Sequence, residues 1–79
     1  MSKEAEIVTA KIEKIDEIKN YGERVKHVFY CESKKGTPQM CVYWAGAELK
    51  LNSGDIIQVK GRHNHNAFLC WKLLILKRG

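Results

Sequence analysis

Apolar and polar residues alternate along most of this chain with a period of two, the mark of half-buried strands. The clearest stretch follows the turn Asn52-Ser53-Gly54-Asp55. There Ile57, Val59 and Gly61 fall on one side, and Ile56, Gln58, Lys60 and Arg62 on the other. Gly61 marks a place where a wall bends sharply or a neighbouring backbone comes close, since glycine weakens a strand unless the missing side chain is needed. The first segment, Glu6 to Lys19, carries two periods at once. Val8, Ala10 and Ile12 alternate with Thr9, Lys11 and Glu13, while Ile12, Ile15 and Ile18 recur every third residue as on a helix. A strand bulged near Glu13-Lys14 satisfies both, because the extra residue returns Ile15 to the inner side.

The same reading extends along the chain. Asn20-Tyr21-Gly22 is a turn with a glycine able to take positive φ. A second strand from Glu23 to Glu32 places Val25, His27, Phe29 and Cys31 on one face and Arg24, Lys26, Val28 and Tyr30 on the other. After a loop from Ser33 to Pro38, a third strand (Gln39 to Trp44) alternates Met40, Val42 and Trp44 with Gln39, Cys41 and Tyr43. Ala45 to Asp55 has room for one helical turn at most. The fourth strand runs from Ile56 to Arg62, His63-Asn64-His65-Asn66 forms a loop, and the fifth strand runs from Ala67 to Leu76. Five short strands with regular turn signals predict one all-β domain over residues 1–79, with tails at 1–5 and 77–79. Closure into a barrel removes edges that would aggregate. Phe29, Phe68, Trp44 and Trp71 are the bulky fillers such a small core needs. The fifth strand is apolar on both faces, so one of them is expected to meet the N-terminal segment or a second subunit.

Charge changes the picture. The chain of 79 residues carries a net +5, unevenly spread. Residues 1–23 hold four lysines against six acids, a balance of −2; residues 24–79 hold ten basic groups against Glu32, Glu48 and Asp55, a balance of +7. A basic surface on the second and later strands suits a phosphate backbone. Cys31, Cys41 and Cys70 are odd in number and far apart, which fits reduced thiols in a cytoplasmic protein better than a disulfide framework. The longest apolar run, Leu73-Leu74-Ile75-Leu76, is far too short to span a bilayer, and no signal peptide is recognisable, so no membrane association is expected.

Leu51 with Gly54-Asp55-x-Ile57-x-Val59-x-Gly61 and Arg62, the long bulged first strand, and the strand-turn-strand of residues 23 to 44 together resemble an OB-fold domain. The likeness is to the minimal barrels that bind single-stranded DNA or tRNA anticodons. It implies a five-stranded Greek-key barrel, here with the usual helix between strands three and four short or absent. An SH3-like barrel is the alternative. It also implies binding of single-stranded nucleic acid across the second and third strands and the flanking loops, with DNA slightly favoured over RNA and little sequence preference.

Mapped onto this chain, the stacking residues are Tyr30 and Tyr43, with Tyr21 in the first hairpin. The phosphate contacts are Arg24, Lys26, Lys60 and Arg62, with Lys34 and Lys35 from the adjoining loop. His63, Asn64, His65 and Asn66 offer donors to phosphate, sugar or base. No nucleophile, base and orienting acid stand at recognisable spacing, and no glycine-rich phosphate cradle is present, so no catalysis is expected. His63-x-His65 lacks the further ligands a zinc site needs, so neither metal nor cofactor is expected. The rival function is a protein-interaction barrel, or a subunit of a larger nucleoprotein assembly, docking as a homodimer or on a partner through the apolar fifth strand.

Overall fold

A computed structural model of the chain describes residues 5–34 and 36–79. It contains five strands: β1 (Glu6–Asn20), β2 (Val25–Cys31), β3 (Gln39–Ala45), β4 (Ile56–Asn64) and β5 (Ala67–Lys77). Among the described residues there is no helix, and hence none long and apolar enough to cross a membrane. The strands close into a barrel in the order β1-β2-β3-β5-β4, with β4 returning to β1. All neighbours are antiparallel except β3 and β5. This mixed five-stranded barrel is compatible with an OB fold or an SH3-like barrel.

β1 can serve two neighbours because it is long and broken twice. Its first half pairs with β4 and its second with β2. Between Ile12 and Lys14 the register slips by one residue, so Glu13 is the expected bulge and Ile15 packs against the core. A second slip, between Ile15 and Glu17, carries Ile18 opposite His27. Each bulge sharpens the local bend, which lets one strand turn the corner of a small barrel.

Gly61 meets the other expectation. It faces inward beside a register shift between β4 and β5, and a Cβ there would run into the backbone of Leu69 and Cys70. The site needs a bare backbone, while its φ is unexceptional.

The core holds Ile12, Phe29, Leu51, Ile57, Val59, Phe68 and Leu73 with all three cysteines, which are free thiols. Leu51 reaches it from the helix-free connection between β3 and β4. His27, fully buried, ties that connection down: the Leu49 N–H donates to its Nε2 at 2.9 Å, and its Nδ1 lies 3.2 Å from the Tyr43 carbonyl. Since Nε2 accepts, the ring proton resides on Nδ1 and donates to that carbonyl.

Asp55 does turn chemistry, as its position after Gly54 suggested. It accepts the Asn52 N–H at 3.0 Å and the Gly79 N–H at 2.9 Å, and pairs with Arg78 at 3.2 Å. The C-terminal residues therefore differ from the expected loose tail: Lys77 closes β5, while Arg78 also donates to the Lys50 carbonyl. Residues 1–4 of the expected N-terminal tail lie outside the described residues.

Candidate nucleic-acid interface

Pairing between β2 and β3 decides which aromatics face outward. Residues directly opposite each other on paired strands share a face. Phe29 is buried and lies opposite Cys41, and His27 lies opposite Tyr43, so Cys41 and Tyr43 point inward. Tyr43 packs against the core, its ring 5.7 Å from that of His27. The assignment of Tyr43 to the outer face is thus corrected: it shares the interior with the β2 core residues and lies on the opposite side of the sheet from Tyr30. Trp44 is the converse correction. Expected in the core, it stands opposite Lys26 on the outer face.

Trp44 is the centre of a cluster. The Arg24 guanidinium lies 4.9 Å from its ring centroid and the Lys26 ammonium 5.9 Å. The Tyr21 ring is 5.5 Å away, tilted by 41°, and Lys19 sits 5.3 Å from the Tyr21 centroid. Tyr21 is held there by its turn. Its N–H donates to the Arg24 carbonyl, Asn20 Oδ1 accepts the Gly22 N–H at 2.7 Å, and Gly22 adopts the positive φ expected.

From Trp44 the outer face continues in rows set by the register. Lys26 and Trp44 form the first, with Trp71 on β5 one step beyond the pair Tyr43–Cys70. Trp71, another supposed core residue, is half exposed because it follows the inward Cys70 in the alternation of β5; the register shift beside it then returns Leu73 to the inside. Val28, Val42, Leu69 and Arg62 form the second row, and Tyr30, Met40, Ala67 and Asn64 the third. Tyr30 donates a weak hydrogen bond to the Met40 sulfur at 3.7 Å. Four residues along β3 separate the Trp44 and Tyr30 rows by roughly 13 Å at ~3.3 Å per residue.

Of the residues singled out from the sequence, Tyr21, Arg24, Lys26, Tyr30, Arg62 and Asn64 border this face. Lys60 does not: it lies opposite Ile7 and Lys72 on the far wall. The fourth-to-fifth loop is tighter than expected, since β4 continues to Asn64 and only His65 and Asn66 turn the chain, His65 with φ 56°. His63 belongs to the strand, its ring edge-on to Phe68 at 4.8 Å. The Asn66 carbonyl accepts from Gln39 Nε2 at 3.1 Å, tying the loop to the start of β3. Lys34 lies at the open mouth of the barrel, a cavity of about 550 Å³, and Lys35 lies outside the described residues. Among the described residues, no group of three His, Cys, Asp or Glu is placed to hold a metal ion.

The cysteines line the inner side. The Sγ atoms of Cys31 and Cys41 are 3.8 Å apart. Their hydrogen bond and burial push the Cys31 thiol far up. Cys41 is pushed up to about 12: the bond with Cys31 pulls downward, but a bond with Cys70 and burial outweigh it. Such thiols stay protonated and unreactive.

Comparison with protein-family models, curated proteins and solved structures gave no match. The chemistry of this face therefore rests on its own residues.

Proposed function

We propose that the protein binds single-stranded nucleic acid without catalysis and with little sequence preference, using the outer face of β2 and β3. The observation that carries this reading is Trp44, half-buried on the outer wall among Tyr21, Arg24 and Lys26. A base stacks on an aromatic face whatever its identity, a contact worth ~1–3 kcal/mol, while adjacent cations follow the phosphates. Trp71 and Tyr30 extend the platform to either side of the row Val28, Val42 and Leu69, whose two valines are buried. The basic excess of residues 24–79 supports the same partner.

The test is a fluorescence titration in a Trp71→Phe background, so that Trp44 reports alone, with oligo(dT), oligo(U) and duplex DNA at two salt concentrations. Single strands should quench the signal, with log Kobs falling against log salt by roughly 0.7 per phosphate neutralised. In a separate anisotropy assay, Trp44→Ala with Tyr21→Ala should weaken binding by over ~2 kcal/mol with the fold intact. Unchanged affinity in the folded double variant removes the proposed site.

A further inference from the structure

The wall across the barrel from β2 and β3 has a different chemistry. There β4 lies between β1 and β5, and the register aligns Ile7, Lys60 and Lys72 in one outward row and Thr9, Gln58 and Leu74 in the next. Ile7 is 64 % exposed, Leu74 51 % and Leu76 53 %. A cleft of about 130 Å³ is lined by Ile7, Gln58, Val59, Lys60, Lys72 and Leu74. An apolar cavity of ~150 Å³ accepts benzene, so this cleft has room for one aliphatic or small aromatic side chain.

Its electrostatics are unbalanced. Lys60 and Lys72 stand directly opposite each other, a like-charge cross-strand pair that costs stability. Neither β4 nor β5 contains an Asp or Glu, and the nearest acid on β1 is the exposed Glu6, opposite Gly61 and next to Ile7. Among the described residues the one ion pair is Arg78 with the buried Asp55, away from this cleft.

We propose that this cleft docks an acidic segment of another protein, with an apolar side chain seated between Ile7 and Leu74 and carboxylates on Lys60 and Lys72. Charge complementarity selects that occupant. A second copy placed face to face would set one lysine pair against the other, with no carboxylate from β4 or β5 to separate them. A nucleic acid would satisfy the lysines but leave three exposed aliphatic side chains uncovered, and these have no π-face for a base. The apolar seat of the cleft, Ile7 and Leu74, lies outside the Trp44 face, while Lys72 adjoins Trp71 on β5.

The experiment uses a short fluorescein-labelled peptide in which Asp and Glu alternate with Leu, read by anisotropy. A version with Leu replaced by Ser and another with the acids replaced by Gln serve as controls. The acidic, apolar peptide should bind and both controls should lose roughly ten-fold or more. Lys60→Gln with Lys72→Gln should cause a similar loss, as should Leu74→Ser, and Leu74→Ser, which leaves the charge untouched, should keep oligo(dT) affinity within about two-fold. All three changes lie at exposed positions, and an unchanged melting temperature checks the fold. The proposal is overturned if the peptide fails to bind, or if it binds the variants as well as the parent chain. It is equally overturned if the variants lose oligo(dT) instead, or if sedimentation finds a dimer that Leu74→Ser dissociates.

Discussion

Gly61→Ala adds a single methyl group where the barrel wall has no space. The new Cβ would collide with the Leu69 carbonyl group and lie 2.8 Å from Cys70 Cα. Both obstacles are backbone, so no side chain can rotate away. Relief requires moving β5 from β4 at the shift that lets the wall close. Overpacking costs ~1–3 kcal/mol where neighbours can yield; with backbone on the far side, the loss should reach about 3 kcal/mol or more. A domain of this length has a total stability of about 4–12 kcal/mol, so one methyl group removes a quarter or more of it. At ~4–8 °C per kcal/mol, the melting temperature should fall by about 12–24 °C. Gly46→Ala is the matched control. Nothing lies within 4 Å of its added Cβ and its φ is not positive, so the stiffer unfolded chain should leave stability unchanged or raised by up to ~1 kcal/mol. Thermal and urea unfolding followed by circular dichroism measure both. Melting of Gly61→Ala within about 4 °C of the parent chain would refute the close approach of β5, and equal losses at Gly46 would show a general intolerance of alanine instead.

Three further outcomes follow from the placement of single residues. Tyr43→Ala should cost about 2–3 kcal/mol of stability, because its ring fills core space beside His27, whereas Trp44→Ala should cost about 1 and act on binding; equal melting temperatures would contradict the opposite facing of the two rings. His27→Phe leaves the Leu49 N–H without its acceptor, a loss of about 1–3 kcal/mol measurable in urea; an unchanged midpoint would show that the β3–β4 connection does not depend on His27. Asp55 sits below its ordinary value of 3.8, first through the Gly79 N–H, against the opposing pull of burial, then through the Asn52 N–H and Arg78. The folded state thus takes up this proton less readily than the unfolded chain. Its contribution is complete above the unfolded value and disappears as pH falls through the lower folded one. Asp55→Asn should flatten that acid limb of a stability–pH curve, and an identical limb would assign it to other carboxylates.

The fold was readable because its local signals agree with one another. Alternation in β4 separates Ile57, Val59 and Gly61 from Gln58, Lys60 and Arg62 without reference to any other strand, and the structure keeps that division. The third-residue spacing of Ile12, Ile15 and Ile18 looked helical, yet it is what a strand with extra residues produces when each bulge resets the inward phase. The second bulge at Ile15–Glu17 could not be foreseen, because it depends on where His27 and Val28 sit across the barrel. The length of β4 was likewise underestimated: His63 and Asn64 look like loop residues, but the contact of His63 with Phe68 prolongs the pairing.

The site was less legible, and the reason is specific. Alternation in β3 separates Met40, Val42 and Trp44 from Gln39, Cys41 and Tyr43, but it does not say which set is inside. Residue polarity points the wrong way here, since a tyrosine hydroxyl and a glutamine look more exposed than a tryptophan, a valine and a methionine. The deciding information is register. With Cys31 opposite Gln39, Phe29 must stand opposite Cys41 and His27 opposite Tyr43, so the unmistakable core residue Phe29 fixes the facing of all of β3. One slip of a residue would exchange the two sets. Cys31 and Cys41 bear this facing out: both are buried and their sulfurs meet, so the two residues share the inner side. Tryptophan on the outer wall then has no core to fill. Its cost in exposed apolar surface is offset in part by Arg24, Lys26 and Tyr21, and an aromatic ring among cations is the chemistry on which the proposed stacking of a base depends.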